Sequence, residues 1–140
     1  MINLNYETDF ILNNESLYIK WLSEVILSEN KTEGEINYIF CDDSYLLELN
    51  QKHLQHDTLT DIISFDYSER NKLSGDIFIS VERVKDNANE YNVSFEEEIK
   101  RVMVHGVLHY CGYKDKTDDD AVVMRNKENE KINMFHVKQN

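Results

Sequence analysis

The sequence predicts an α+β fold: a small mixed β-sheet packed against several helices, with a metal site on a central helix. Short stretches of alternating apolar residues are mixed with longer stretches of helical spacing, without strict strand–helix alternation. The 140 residues, 41% of them hydrophobic, suffice for one core without disulfide staples. Two histidines, His105 and His109, stand four apart on the best-marked helix. No proline, repeat or low-complexity linker marks a boundary, so residues 1–140 are expected to form a single domain.

A short strand is expected over residues 2–7. From 15 to 29, Leu17, Trp21, Leu22, Val25 and Ile26 recur at helical spacing. Gly34 is expected to mark a turn, and 36–41 alternates Ile36, Tyr38 and Phe40 as a strand does. Asp42 or Asp43 can cap a helix running to about Leu54, with Leu46, Leu47 and Leu49 inward. Residues 62–67 form a second strand in this pattern, 72–74 a turn, and 75–80 a third strand with Ile77 and Ile79 on one face. Residues 81–91 carry helical signal. Ser94 and Glu97 form a capping box that opens a helix through Cys111, with Phe95, Ile99, Val102, Met103 and Val107 on its buried stripe. Gly112 suits the left-handed position that ends a helix. Thr117 and Asp118, Asp119 and Asp120 start a last helix carrying Val122, Val123, Met124, Ile132 and Met134, the acids suiting the positive end of the helix dipole.

Composition narrows the function classes. The formal net charge is −12, without the basic footprint of a general nucleic-acid binder. Any nucleic-acid role then needs a local cationic pocket, a metal, or a partner that presents the substrate. Cys41 and Cys111 make no CxxC pair, which favours reduced thiols and a cytoplasmic location. The first twenty residues show no secretory pattern, and no run approaches the roughly 20 apolar residues that cross a bilayer.

His105 and His109 share one helix face, with Cβ atoms roughly 5–6 Å apart. That suits two imidazoles on one ion at bonds of about 2.0–2.1 Å. Gly112 lets the chain turn back, so the carboxylate of Asp115 can close over both. Two nitrogens and one oxygen, with a position left for water, is the catalytic zinc pattern as opposed to the closed structural one. Gly106, inside a strongly helical stretch where glycine costs about 1 kcal/mol against alanine, is expected to make room for substrate or another backbone. It also occupies the place where a zinc protease helix carries its glutamate base, which argues against proteolysis.

The segment His105-Gly-Val-Leu-His-Tyr-Cys-Gly-Tyr113 resembles the signature of the YbeY family of metal-dependent endoribonucleases, also described as ribosomal RNA maturation factors. Leu49-Asn50, the six residues from Thr60 to Phe65, and Gly75-Asp76-Ile77 fall in that family's order. The resemblance implies a zinc bound by three side chains in a cleft, one ion per chain. It further implies single-strand-specific cleavage in 16S rRNA 3′-end maturation, a role in ribosome quality control, and rRNA or the small ribosomal subunit as partner. Two positions depart from the pattern. Asp115, preceded by Lys114, stands where the family usually has a third histidine, which makes the ligand set harder and more open to manganese or iron. Leu54 stands where the family usually has an arginine thought to meet RNA.

The chemistry expected is metal-assisted hydrolysis of a phosphodiester. Lys114 and Lys116, or Lys52, would offset phosphate charge. The general base is not legible; Asp61 and Asp76 are the candidates. Tyr110 and Tyr113 are expected to pack in the core or at the rim, with stacking on unpaired bases as the alternative. His53, His56 and His136 read as polar surface residues. Competing functions are a hydrolase of peptide or amide bonds at the same metal, and a ribosome-associated protein with a structural ion.

Overall fold

The computed structural model describes residues 1–54 and 60–138. Its order is β1 (Ile2–Tyr6), α1 (Glu15–Ser28), β2 (Thr32–Cys41), α2 (Asp43–Leu49), β3 (Ile62–Asp66), β4 (Lys72–Ser80), α3 (Val81–Glu90), α4 (Phe95–Tyr110) and α5 (Asp118–Lys138). A π-helical turn over Asn50–Leu54 extends α2. The strands form one mixed sheet in the order β1-β2-β4-β3; β1 and β4 run parallel to β2, and β3 pairs antiparallel to β4. This is the α+β architecture that the mixed spacing implies.

Period-two alternation puts Ile36, Tyr38 and Phe40 of β2 and Ile77 and Ile79 of β4 on one face. There they meet the stripes of α1, α4 and α5 in a continuous core that includes Trp21, Leu22, Val107 and Ile132. The Tyr38 hydroxyl donates to the Met103 carbonyl at 2.7 Å and ties α4 to the sheet. On the other face α2 covers Ile63, with Phe65 and Phe78 alongside. The rest of that face carries an amide ladder: Asn3 Nδ2 donates to Asn37 Oδ1 at 2.9 Å, and Asn37 Nδ2 to Asp76 Oδ1 at 3.1 Å.

Two strands start earlier than alternation suggests. Gly34 is no turn; it lies within β2, and residues 72–74 lie within β4, where Thr32 pairs with Lys72 and Glu33 with Leu73. An irregularity between Glu33 and Ile36 breaks the alternation and hides the strand from a period-two reading. A Cβ on Gly34 would run into the Ser74 hydroxyl and the Leu73 carbonyl, so the glycine serves close approach. The chain turns instead near Asn30 and Arg70, both left-handed, at φ 59° and 57°. In α5 the stripe also differs: Val122 and Val123 are exposed, whereas Met124, Glu128, Lys131, Ile132 and Phe135 face inward.

Candidate metal centre

Helix α4 is opened by Ser94, whose hydroxyl accepts from the Glu97 amide at 3.1 Å; the Glu97 carboxylate turns to Arg101 at 3.9 Å. The helix ends in a Schellman turn. The Tyr113 amide donates to the Leu108 carbonyl at 3.1 Å and the Gly112 amide to the His109 carbonyl at 3.0 Å, with Gly112 at φ 107°. That turn brings Asp115 back over the histidines. Beyond it, the Tyr113 hydroxyl donates to Glu29 Oε1 at 2.7 Å, while Lys131 holds Glu29 Oε2 at 2.8 Å. The loop is thus braced against the end of α1 and the middle of α5.

His105 Nε2, His109 Nε2 and Asp115 Oδ2 converge in a triangle with edges of 3.0, 3.1 and 3.3 Å. Two ligands at about 2.05 Å from a tetrahedral ion stand about 3.3 Å apart, so the triangle fits one face of such a polyhedron. Among the described residues this is the group of three or more His, Cys, Asp or Glu side chains whose ligand atoms converge in this way. Glu128 lies behind it. Its Oε2 is 2.6 Å from His105 Nδ1, and its Oε1 accepts from Arg101 Nη1 at 3.0 Å. A carboxylate only accepts, so Nδ1 carries the proton and the Nε2 lone pair faces the triangle, the tautomer that binds metal. Burial disfavours charge on His105, but Glu128, Asp115 and Asp61 outweigh it and raise its pKa. The donor set therefore fits a cation.

The triangle opens onto a cleft of about 420 Å³ whose walls include Asp61, Asn87, Glu98, Arg101 and Arg125. Burial, against the pull of His105, raises the pKa of Asp61. The other base candidate, Asp76, is corrected: it sits in the amide ladder on the opposite face of the sheet. Of the two purposes expected of Gly106, room for substrate or for another backbone, close packing is the one the structure supports. A Cβ there would lie 3.0 Å from Ile77 Cδ1 and 3.3 Å from Ile62 Cδ1, so it lets α4 pack on the sheet and makes no room for substrate. Tyr110 is buried with its hydroxyl donating to the Phe65 carbonyl at 2.9 Å, and both tyrosines pack against the core.

Lys114 and Lys116 are exposed on the Asp115 loop, and the cations on the cleft wall are Arg101 and Arg125. Lys52 is exposed, and His53 meets the Phe65 ring on the α2 side at 5.9 Å. His136 is exposed. His56 and the Leu54 side chain lie outside the described residues. Glu128, Arg101, Arg125 and Glu98 also line the cleft, and histidine spacing does not mark them. A signal existed for two of them: Glu98 precedes His105 by two turns on the same face, and Glu128 interrupts the apolar stripe between Met124 and Ile132.

Fold and site define a class, a small mixed-sheet domain with two histidines and a carboxylate converging from one helix and its following turn. The comparisons resolve it further. Residues 3–136 match the family described as Endoribonuclease YbeY, and the chain belongs to that family. It is 67% identical over 140 residues to an endoribonuclease YbeY of Flavobacterium psychrophilum, covering 100% of both chains. It is 69% identical over 139 residues to the Flavobacterium johnsoniae protein of the same name, covering 99% of this chain and 100% of that one. The solution structure of a Thermotoga maritima protein superposes with a TM-score of 0.70 at 26% identity, covering 99% of this chain and 91% of that one. No helix among the described residues is long and apolar enough to cross a membrane.

Proposed function

We propose that the chain is a metal-dependent endoribonuclease that cuts single-stranded RNA in 16S rRNA 3′-end maturation and ribosome quality control. One zinc ion would be held by His105, His109 and Asp115. The observation that carries this is the triangle of ligand atoms, with its 3.0–3.3 Å edges, opening onto a cleft walled by two arginines. Family membership supplies the reaction class. When bound, the ion would polarise a phosphate oxygen and make water more acidic.

The chain's own side chains do the rest. Glu128 fixes the His105 ring and its tautomer. Arg101 and Arg125 offset negative charge arriving with a phosphodiester, and Lys114 and Lys116 extend that field along the exposed loop. Asp61, with its raised pKa, is placed to hold a proton in the cleft. A net charge of −12 makes productive encounter with RNA depend on the small ribosomal subunit or another protein to present it. Work on the small ribosomal subunit is cytoplasmic work, and two unpaired thiols, Cys41 and Cys111, suit that reducing compartment.

The test is metal content and RNA turnover measured on the same preparations. Wild type should carry about one zinc per chain and cut unpaired RNA but not duplex, with cutting abolished by chelation. Asp115→Ala and His109→Ala should each lose metal and turnover while keeping a cooperative melt. Metal retained in His105→Ala would sink the site assignment. Zinc present with no cleavage of any RNA would leave the ion structural.

A further inference from the structure

The cleft continues along α4 beyond the histidines. Glu98 and His105 lie on one helix face two turns apart, roughly 10 Å along the axis, and both line the cleft. Glu98 is only 5% exposed, yet its carboxylate has no hydrogen-bond or ion-pair partner among the described residues. None of its oxygens is fully enclosed, so the carboxylate meets the cleft, where water or a ligand must supply the donors that the protein does not. Burial, and then the charge of Asp61, push its pKa up; Arg101 and Arg125 act against them, and Glu128 adds to the rise. The neighbouring wall is polar and ordered: Asn87 Nδ2 donates to Asp61 Oδ2 at 3.4 Å. Tyr91 lines the same cleft and is 56% exposed, an aromatic ring open to solvent.

We propose that Glu98 forms the floor of a nucleobase subsite beside the metal centre, where it accepts hydrogen bonds from the Watson–Crick edge of an unpaired guanine flanking the bond to be cut. This rests on RNA being the substrate. Guanine offers two adjacent donors, N1–H and N2–H, which match the two oxygens of one carboxylate. Adenine and cytosine offer one exocyclic amine beside an acceptor, and uracil a single N–H. A site built to accept such donors rejects bases that leave its carboxylate unpaired. The Tyr91 ring supplies a stacking surface that any base can use, and Arg101 and Arg125 flank it with positive charge for the backbone. A second cation on Asp61 and Glu98 is the competing occupant, but no third ligand converges with them among the described residues.

Mononucleotides test this without a phosphodiester bond to cut. The full zinc-loaded chain is titrated with GMP, IMP, AMP, CMP and UMP, followed by amide chemical shifts. GMP should bind about tenfold tighter than UMP, with IMP, which lacks the N2 amine, between them. Glu98→Gln should reduce the guanine preference to within about twofold at unchanged zinc content. Tyr91→Ala, at an exposed position where folding is safe, should weaken all five nucleotides alike. Equal affinities in wild type, or a guanine preference that persists in Glu98→Gln, overturns the subsite. So does a manganese titration showing a second ion that Glu98→Gln removes. If the preference behaves as expected but no RNA is cut, the nuclease assignment fails and the subsite stands.

Discussion

At the scale of single residues, the candidate centre divides into what a helix dictates and what packing adds. His105, His109 and Asp115 were legible because one helix turn and one glycine-mediated reversal determine their relation, and both are local. Glu128 was not, because it reaches His105 from α5, and spacing along the chain says nothing of which helices pack. Its 2.6 Å contact with Nδ1 gives it a measurable role. Glu128→Gln keeps a carbonyl oxygen to accept from His105 but loses the charge, and should weaken zinc binding by about tenfold. Glu128→Ala removes the acceptor, leaves Arg101 without its 3.0 Å partner, and should approach a hundredfold loss. Competition with a chromophoric chelator measures both. Equal affinity in wild type and Glu128→Ala would remove Glu128 from the centre.

At the scale of elements, the turn after α4 decides whether Asp115 reaches the histidines. Gly112→Ala forces a side chain into φ 107° and should destabilise the chain by about 1–2 kcal/mol. The strain falls on the turn itself, so zinc affinity should drop along with the urea midpoint. The brace behind this turn is sensitive to pH. Burial alone would raise the pKa of Glu29, but hydrogen bonds from Lys131 and Tyr113 outweigh it and hold the pKa below 4.5. Its contribution to stability is therefore present above pH 4.5 and lost as pH falls through the depressed value. Lys131, raised above 10.5 mainly by Glu29 and Glu130 against burial, contributes fully below 10.5 and loses that contribution as pH rises through its folded pKa. Lys131→Met should flatten the melting-temperature profile at both ends while keeping the helix packed. An unchanged acid limb would show the brace to be inert. None of this brace was visible beforehand, since a buried lysine on the α5 stripe reads as a break in amphipathicity. The starts of β2 and β4 were hidden by the irregularity between Glu33 and Ile36, where strand alternation is interrupted.

At the scale of the whole molecule, the fold class followed from mixed periodicities, but the strand order did not, because pairing is set by tertiary packing that one sequence leaves open. Net charge was legible, but the arginines of the cleft wall were not, because Arg101 on α4 and Arg125 on α5 meet only through the packing of two helices. A molecule of formal charge −12 that meets a polyanion through two arginines, on a cleft wall that also carries carboxylates, must make few phosphate contacts. Each phosphate neutralised on a single strand contributes about 0.7 to the slope of log affinity against log salt. Arg101 and Arg125 together then set a slope of only about −1.4, shallow for a nucleic-acid enzyme. Arg101 is already engaged with Glu128 at 3.0 Å, whereas the Arg125 side chain is 56% exposed and 3.9 Å from the same carboxylate. Arg125 is therefore the freer of the two. Arg125→Ala should weaken binding of an unpaired RNA oligonucleotide across sequences and reduce the slope by about 0.7. The base preference assigned to Glu98 should survive, because phosphate contacts position a strand without reading it. Anisotropy titrations of wild type and Arg125→Ala at several salt concentrations measure both quantities. A steep slope that Arg125→Ala leaves unchanged would mean that the strand is held elsewhere, on the lysine-bearing loop or by a presenting partner.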